Sequence, residues 1–258
     1  MIKRKVTMTM VLGATILGLN ILYNNAGKLN AFEIMVGNKL PAGVPATTKT
    51  ESLCFAPGEK EALSKWATSA GNTISFGLCD NKPFINPIKV IKGNQYYTAG
   101  SSGSTFDCRR YRKNYAYTEN IRMAHTQLSE YADLMMNSAQ ESDRIRGAKC
   151  LARIYLHWAE QDGLGKLEYS GDPQPDFTQL WATSAIASVY ARYKKSIDEH
   201  AKKFVTFGGK VYADVINAWF ERMGVRMLAQ ITKEEKRYRT KALYKEKQNN
   251  MSYWRGYA

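Results

Sequence analysis

Apolar residues recur every three or four positions through the second half of the chain, which predicts a succession of helices. The first covers residues 119–137, and a second follows with Ser142 as its N-cap and Gly163 as its stop. Thr178 is in place to cap a third helix, and residues 209–231 have the spacing of a fourth. Helices joined in sequence by loops predict an all-α bundle or a helical toroid.

The region before these helices has a different composition. Residues 32–95 are rich in Pro, Gly, Ser, Thr and Asn, and they show neither a lasting helical period nor the alternation typical of a strand. We therefore expect an irregular N-terminal arm here, followed by a helical domain over residues 96–258.

The first 31 residues have the pattern of an export signal. Lys3, Arg4 and Lys5 precede an apolar run at residues 6–23, and small residues follow it. The alternatives are a cleaved signal peptide, an uncleaved membrane anchor and an ordinary core helix. The first two place the rest of the chain in the periplasm or outside the cell, and only the second makes a membrane a partner.

The four cysteines fit the same compartment. They are even in number and widely spaced, without the C-x-x-C pairs of zinc or redox motifs. Two disulfides with three possible connectivities are predicted, and four buried free thiols are the alternative.

The charge of the chain narrows the class of partner. A formal net charge of +14 attracts polyanions, which include nucleic acid, anionic lipid and acidic polysaccharide. The sequence lacks a Gly-rich phosphate loop, zinc-finger spacing and an RNA-binding aromatic signature, which argues against nucleic acid. The three histidines have no mutual ligand spacing, so neither a cofactor nor a metal site is predicted.

A motif near the C-terminus points to an acidic polysaccharide. Residues 249–254 read N-N-M-S-Y-W, which resembles the N-N-H-x-Y-W signature of the mannuronate-cleaving alginate lyases. Residues 150–163, which read C-L-A-R-I-Y-L-H-W-A-E-Q-D-G, and the L-W-A-T-S-A-I-A-S-V-Y-A-R-Y-K stretch of the third helix are similar to helices of that family. The resemblance extends over roughly residues 96–258.

The resemblance implies an incomplete (α/α) toroid of antiparallel helix pairs, whose cleft binds a uronic-acid polymer and cleaves it by β-elimination. Asn250 matches the family's asparagine that faces the substrate carboxylate, which makes it the candidate catalytic residue. Met251 stands where the family has histidine, and a thioether cannot transfer the proton. An inactive or C-terminally truncated relative that only binds acidic polysaccharide is therefore the alternative.

Further candidate residues would contact the sugar chain. Two tyrosines and the adjoining residues 99–105 stand where the resemblance implies a mobile lid, with an ordinary surface loop as the alternative. Clustered arginines suit uronate carboxylates, with a solvated surface as the alternative, and the motif adds two more residues. These substrate-binding candidates are Tyr96, Tyr97, Arg109, Arg112, Tyr253 and Arg255. Three tryptophans at helical spacing are assigned to core packing, with sugar stacking as the alternative: Trp158, Trp181 and Trp219.

Overall fold

A computed structural model of the protein describes residues 40–92, 96–98, 105–168, 174–202 and 209–239. The signal or anchor predicted at residues 1–31 lies outside the described residues, as does the motif at residues 249–254.

The described residues are mainly helical, which confirms the predicted fold class. The ring of antiparallel pairs stays a prediction. The helices are α1 (Glu59–Ala67), α2 (Cys108–Met136), α3 (Glu141–Glu160), α4 (Gln174–Ala201) and α5 (Tyr212–Arg239).

The long helices are placed where the sequence predicts them, but their ends differ. The α2 helix starts at Cys108, since the Asp107 side chain caps it by accepting a hydrogen bond of 3.1 Å from the Arg110 backbone N–H. Gln140, rather than Ser142, is the N-cap of α3. Thr178 lies inside α4 instead of capping it.

The prediction of an irregular arm is wrong for its described part. This region contains α1 and several short strands, and it contributes Leu63, Phe84 and Ile85 to the buried core. A helix of nine residues with only two buried positions produces little apolar period, which is why the sequence pattern does not reveal it.

The strands, also unpredicted, form three two-stranded sheets within the described residues. The strands are β1 (Thr47–Thr48), β2 (Thr73–Ser75), β3 (Pro83–Ile85), β4 (Val90–Lys92), β5 (Phe106–Asp107) and β6 (Lys166–Glu168). Two sheets are antiparallel and pair β1 with β5 and β2 with β3, whereas β4 and β6 pair in parallel.

The core is built around α3, which packs against α2, α4 and α5. Trp158 and Trp219 are buried there, as predicted, with ring centroids 6.4 Å apart. The indole N–H of Trp219 donates a 2.9 Å hydrogen bond to the Gly163 carbonyl, which satisfies a polar group in an apolar environment. This bond also ties α5 to the turn after α3.

Both predicted disulfides are present, and the alternative of free thiols is excluded. Cys54 pairs with Cys108, and Cys79 pairs with Cys150. Disulfides of this kind are compatible with a periplasmic or extracellular protein. None of the helices in the described part of the chain combines the length and the hydrophobicity of a bilayer span.

Candidate functional site

A cavity of about 540 Å³ lies beside the first half of α2. Its volume is within the range typical of small-molecule sites. Aromatic rings, hydroxyl groups, one amide, two carboxylates and one guanidinium form its described walls. The lining residues are Glu51, Tyr96, Tyr97, Phe106, Tyr111, Asn114, Tyr115, Thr118, Glu119, Arg122, Thr178 and Trp181.

Backbone pairing places two tyrosines in one wall of the cavity. The Asp107 N–H donates to the Tyr96 carbonyl at 2.8 Å, and Tyr97 forms a bridge with Phe106. The ring centroids of Tyr96 and Tyr97 are 4.5 Å apart, and that of Tyr96 is 5.5 Å from that of Tyr111 on α2. The result is a continuous aromatic surface.

The α2 helix supplies the longest wall. Its cavity residues recur at intervals of three or four positions, the spacing that puts side chains on one face of a helix. The residues on this face are Tyr111, Asn114, Tyr115, Thr118, Glu119 and Arg122. This face explains why the apolar period begins late in α2: its aromatic residues line a cavity instead of filling the core.

Both tyrosines of this face keep their protons at neutral pH. The Tyr111 hydroxyl donates a 2.6 Å hydrogen bond to the Glu51 carboxylate. Burial, reinforced by that bond, raises the pKa of Tyr111 above its ordinary value. Burial and the nearby Glu119 carboxylate raise the pKa of Tyr115 as well. The proton of each phenol is engaged by a carboxylate, so the two hydroxyl oxygens can accept hydrogen bonds from a ligand, but they are poor bases.

Glu119 and Arg122 form a polar pair at the other end of this face. The Arg122 Nε donates to Glu119 Oε2 at 2.8 Å, and Nη2 donates to Oε1 at 2.7 Å, while the Ser64 hydroxyl on α1 also donates to Glu119. Burial alone would raise the pKa of Glu119, but the hydrogen bonds from Arg122 and Ser64 outweigh it and lower that pKa. Glu119 is thus a buried carboxylate that stays charged.

The structure places Arg112 away from any position where it could contact a polymer. Its residue is 3% exposed, and its guanidinium is paired with Glu59 of α1, with Nε 3.0 Å from Oε1. This buried ion pair joins α1 to α2, so we do not retain Arg112 as a substrate contact. Arg109 is exposed in the first turn of α2 and is not one of the described lining residues.

The first turns of α4 complete the cavity with Thr178 and Trp181. The Trp181 residue is 43% exposed, in contrast to the buried Trp158 and Trp219, so the core prediction does not hold for it. Sequence reasoning also missed Glu119 and Arg122. The recurrence of tyrosines and charged residues at helical spacing before residue 119 is the signal that could have revealed this face.

The remaining predicted site residues are divided between the cavity and the undescribed segments. Tyr96 and Tyr97 lie in its wall, next to a candidate lid of which only Thr105 is described. The other three lie outside the described residues: Asn250, Tyr253 and Arg255.

Within the described ranges, no group of three His, Cys, Asp or Glu side chains is arranged to hold a metal ion.

Comparisons with protein families, with curated proteins and with solved structures return no match to this chain.

Proposed function

We propose that the protein is a polysaccharide lyase that cleaves alginate, as polymannuronate, or a related acidic exopolysaccharide. The observation that carries this proposal is the aromatic cavity beside α2. Aromatic rings pack against the C–H faces of a sugar ring, while phenol, amide and guanidinium groups bond its hydroxyl and carboxylate oxygens. The net charge of +14 favours the approach of a polyanion.

The proposed reaction is a β-elimination next to a carboxylate. A base removes the proton at C5, the electron pair forms a C4–C5 double bond, and the C4–O4 bond breaks as O4 takes up a proton. The C5 proton is only weakly acidic, so a cation or an amide must stabilise the charge that develops on the carboxylate. Asn250 is our candidate for this role. Tyr111 and Tyr115, whose pKa values are raised, suit hydrogen bonding to the sugar better than removal of the C5 proton.

A second candidate function is binding of acidic polysaccharide without cleavage. It is favoured by Met251, which stands where the alginate lyases have histidine and which cannot transfer a proton. The cavity would serve this function equally well.

Both candidates place the protein in the periplasm or outside the cell. The two disulfides support this location, since such bonds persist in oxidising compartments.

An assay of the purified chain with polymannuronate tests the proposal. Elimination creates an unsaturated uronate, whose ultraviolet absorbance is recorded over time, and calorimetry measures binding in parallel. Asn250→Ala should abolish product formation and preserve the helical circular dichroism signal. Asn249→Ala is the matched control, because it removes the neighbouring amide, and it should stay active.

Each outcome separates the candidates. Product from the wild type but not from Asn250→Ala supports the lyase and its assigned amide. Binding without product from the wild type supports the second function, and absence of both refutes the two.

A further inference from the structure

The cavity beside α2 has a carboxylate at one end and a carboxylate–guanidinium pair at the other. Glu51 is bonded to Tyr111 at one end, and Arg122 lies eleven residues further along the same helix. At a rise of about 1.5 Å per residue, this separates the two positions on α2 by about 16 Å.

Arg122 is fixed in place by a buried partner. The Glu119 side chain is 1% exposed, and it holds Arg122 through Nε and Nη2, one edge of the guanidinium. The Arg122 side chain is nevertheless 49% exposed, and within the described residues its Nη1 has no hydrogen-bond partner. An anchored guanidinium with an open edge suits recognition of a carboxylate, since little side-chain entropy is left to lose on binding.

We propose that Arg122 binds the carboxylate of one uronate residue in the cavity, and that it makes the cavity selective for acidic over neutral sugars. This inference rests on the proposed function, whose substrate it places in the site. Arg122 is the one basic residue among the described lining residues. At the opposite end, the Glu51 carboxylate repels a second acid group and accepts hydrogen bonds from hydroxyls. The charge pattern therefore orients the sugar chain along α2.

A simpler role for Arg122 is to neutralise Glu119, and ligand selectivity distinguishes the two roles. Loss of a mere counterion would expose the charge of Glu119 in the cavity lining and lower the preference for the acidic sugar indirectly, whereas the double variant Glu119→Gln/Arg122→Gln removes both charges and would then keep that preference. If Arg122 is the carboxylate receptor, the double variant loses the preference as well.

Calorimetric titration with a short oligomannuronate and with its carboxyl-reduced, neutral counterpart provides the test. The wild type should prefer the acidic ligand by about tenfold or more, the effect of a charge-assisted hydrogen bond. Both Arg122→Gln and Glu119→Gln/Arg122→Gln should bring this ratio close to one and keep the affinity for the neutral ligand. Lys113→Gln is the matched control, because it removes the same charge from an exposed position of the same helix outside the described cavity lining, and it should keep the ratio.

Several results would overturn the inference: equal binding of both ligands by the wild type, an unchanged ratio in Arg122→Gln or in Glu119→Gln/Arg122→Gln, or an equal loss in Lys113→Gln. If Arg122→Gln does not fold, Arg122→Lys decides the question. It keeps the charge but lacks the planar fork, so the ratio should fall, and an unchanged ratio counts against the inference.

The test is independent of catalysis. Arg122-dependent selectivity without an unsaturated product would refute the lyase and leave the carboxylate site standing. Product formation with a selectivity that does not depend on Arg122 would refute the carboxylate site and support the lyase.

Discussion

The Cys54–Cys108 disulfide connects two walls of the cavity, and we predict that its removal weakens ligand binding as well as folding. Cys54 ends the short 3₁₀ turn that begins at Glu51, and Cys108 begins α2 three residues before Tyr111. The bond therefore fixes the carboxylate of Glu51 relative to the phenol that donates to it. The perturbation is the double variant Cys54→Ala/Cys108→Ala.

The second disulfide provides a control, because its removal should lower the free energy of unfolding by a similar amount. The bonded cysteines are 54 residues apart in the first pair and 71 residues apart in the Cys79–Cys150 pair. Loop-closure entropy rises only with the logarithm of this separation, so each bond contributes about 4 kcal/mol to the free energy of unfolding. All four cysteines are fully buried, and neither Cys79 nor Cys150 is among the described lining residues.

Urea unfolding and calorimetric titration with oligomannuronate form the assay. Both double alanine variants should lose about 4 kcal/mol of stability. Only Cys54→Ala/Cys108→Ala should also bind more weakly, by at least about tenfold, because ligand binding must then order the Glu51 turn at about 1 kcal/mol per residue. Equal losses of affinity in the two variants, or normal binding by Cys54→Ala/Cys108→Ala, would refute the reasoning.

Three further predictions concern single side chains. Glu119→Gln should make the melting temperature fall less steeply as the pH is lowered. A carboxylate whose pKa is lowered by folding stabilises the fold above its unfolded pKa of about 4.3, and this contribution disappears as the pH falls through the folded pKa. Identical profiles of melting temperature against pH in the variant and the wild type would contradict this. Trp219→Phe leaves the buried Gly163 carbonyl without its donor and should cost about 1–3 kcal/mol in urea unfolding, whereas a change within experimental error would show that the bond contributes nothing. Trp181→Ala should lower the affinity for oligomannuronate in calorimetry with little change in melting temperature, since this ring is largely exposed in the cavity wall; a loss of stability as large as that of Trp219→Phe would assign it to the core.

The four long helices could be predicted because their inward faces are apolar at regular spacing. The first eleven residues of α2 could not, because Tyr111 and Tyr115 face the cavity and the buried Arg112 is a charged residue in an inward position. Its burial depends on Glu59, which is 53 residues earlier in the sequence. A local pattern cannot show such a partner.

The candidate site also depends on contacts between residues that are far apart in the sequence. Tyr96 and Tyr97 stood out in the sequence because they adjoin a Gly- and Ser-rich segment. The cavity also requires Glu51 and Trp181, which are 130 positions apart and meet only when the 3₁₀ turn and α4 pack beside α2. The sequence likewise permits three disulfide pairings, since connectivity depends on the tertiary fold.

Hydrogen–deuterium exchange of the full chain, with and without oligomannuronate, tests most directly whether the aromatic cavity is the sugar site. If the sugar binds there, exchange should slow at residues 51–54 and 105–122 and in the first turns of α4 around Trp181. Protection confined to other surfaces, such as the outer face of α5, or no protection at saturating ligand, would contradict it.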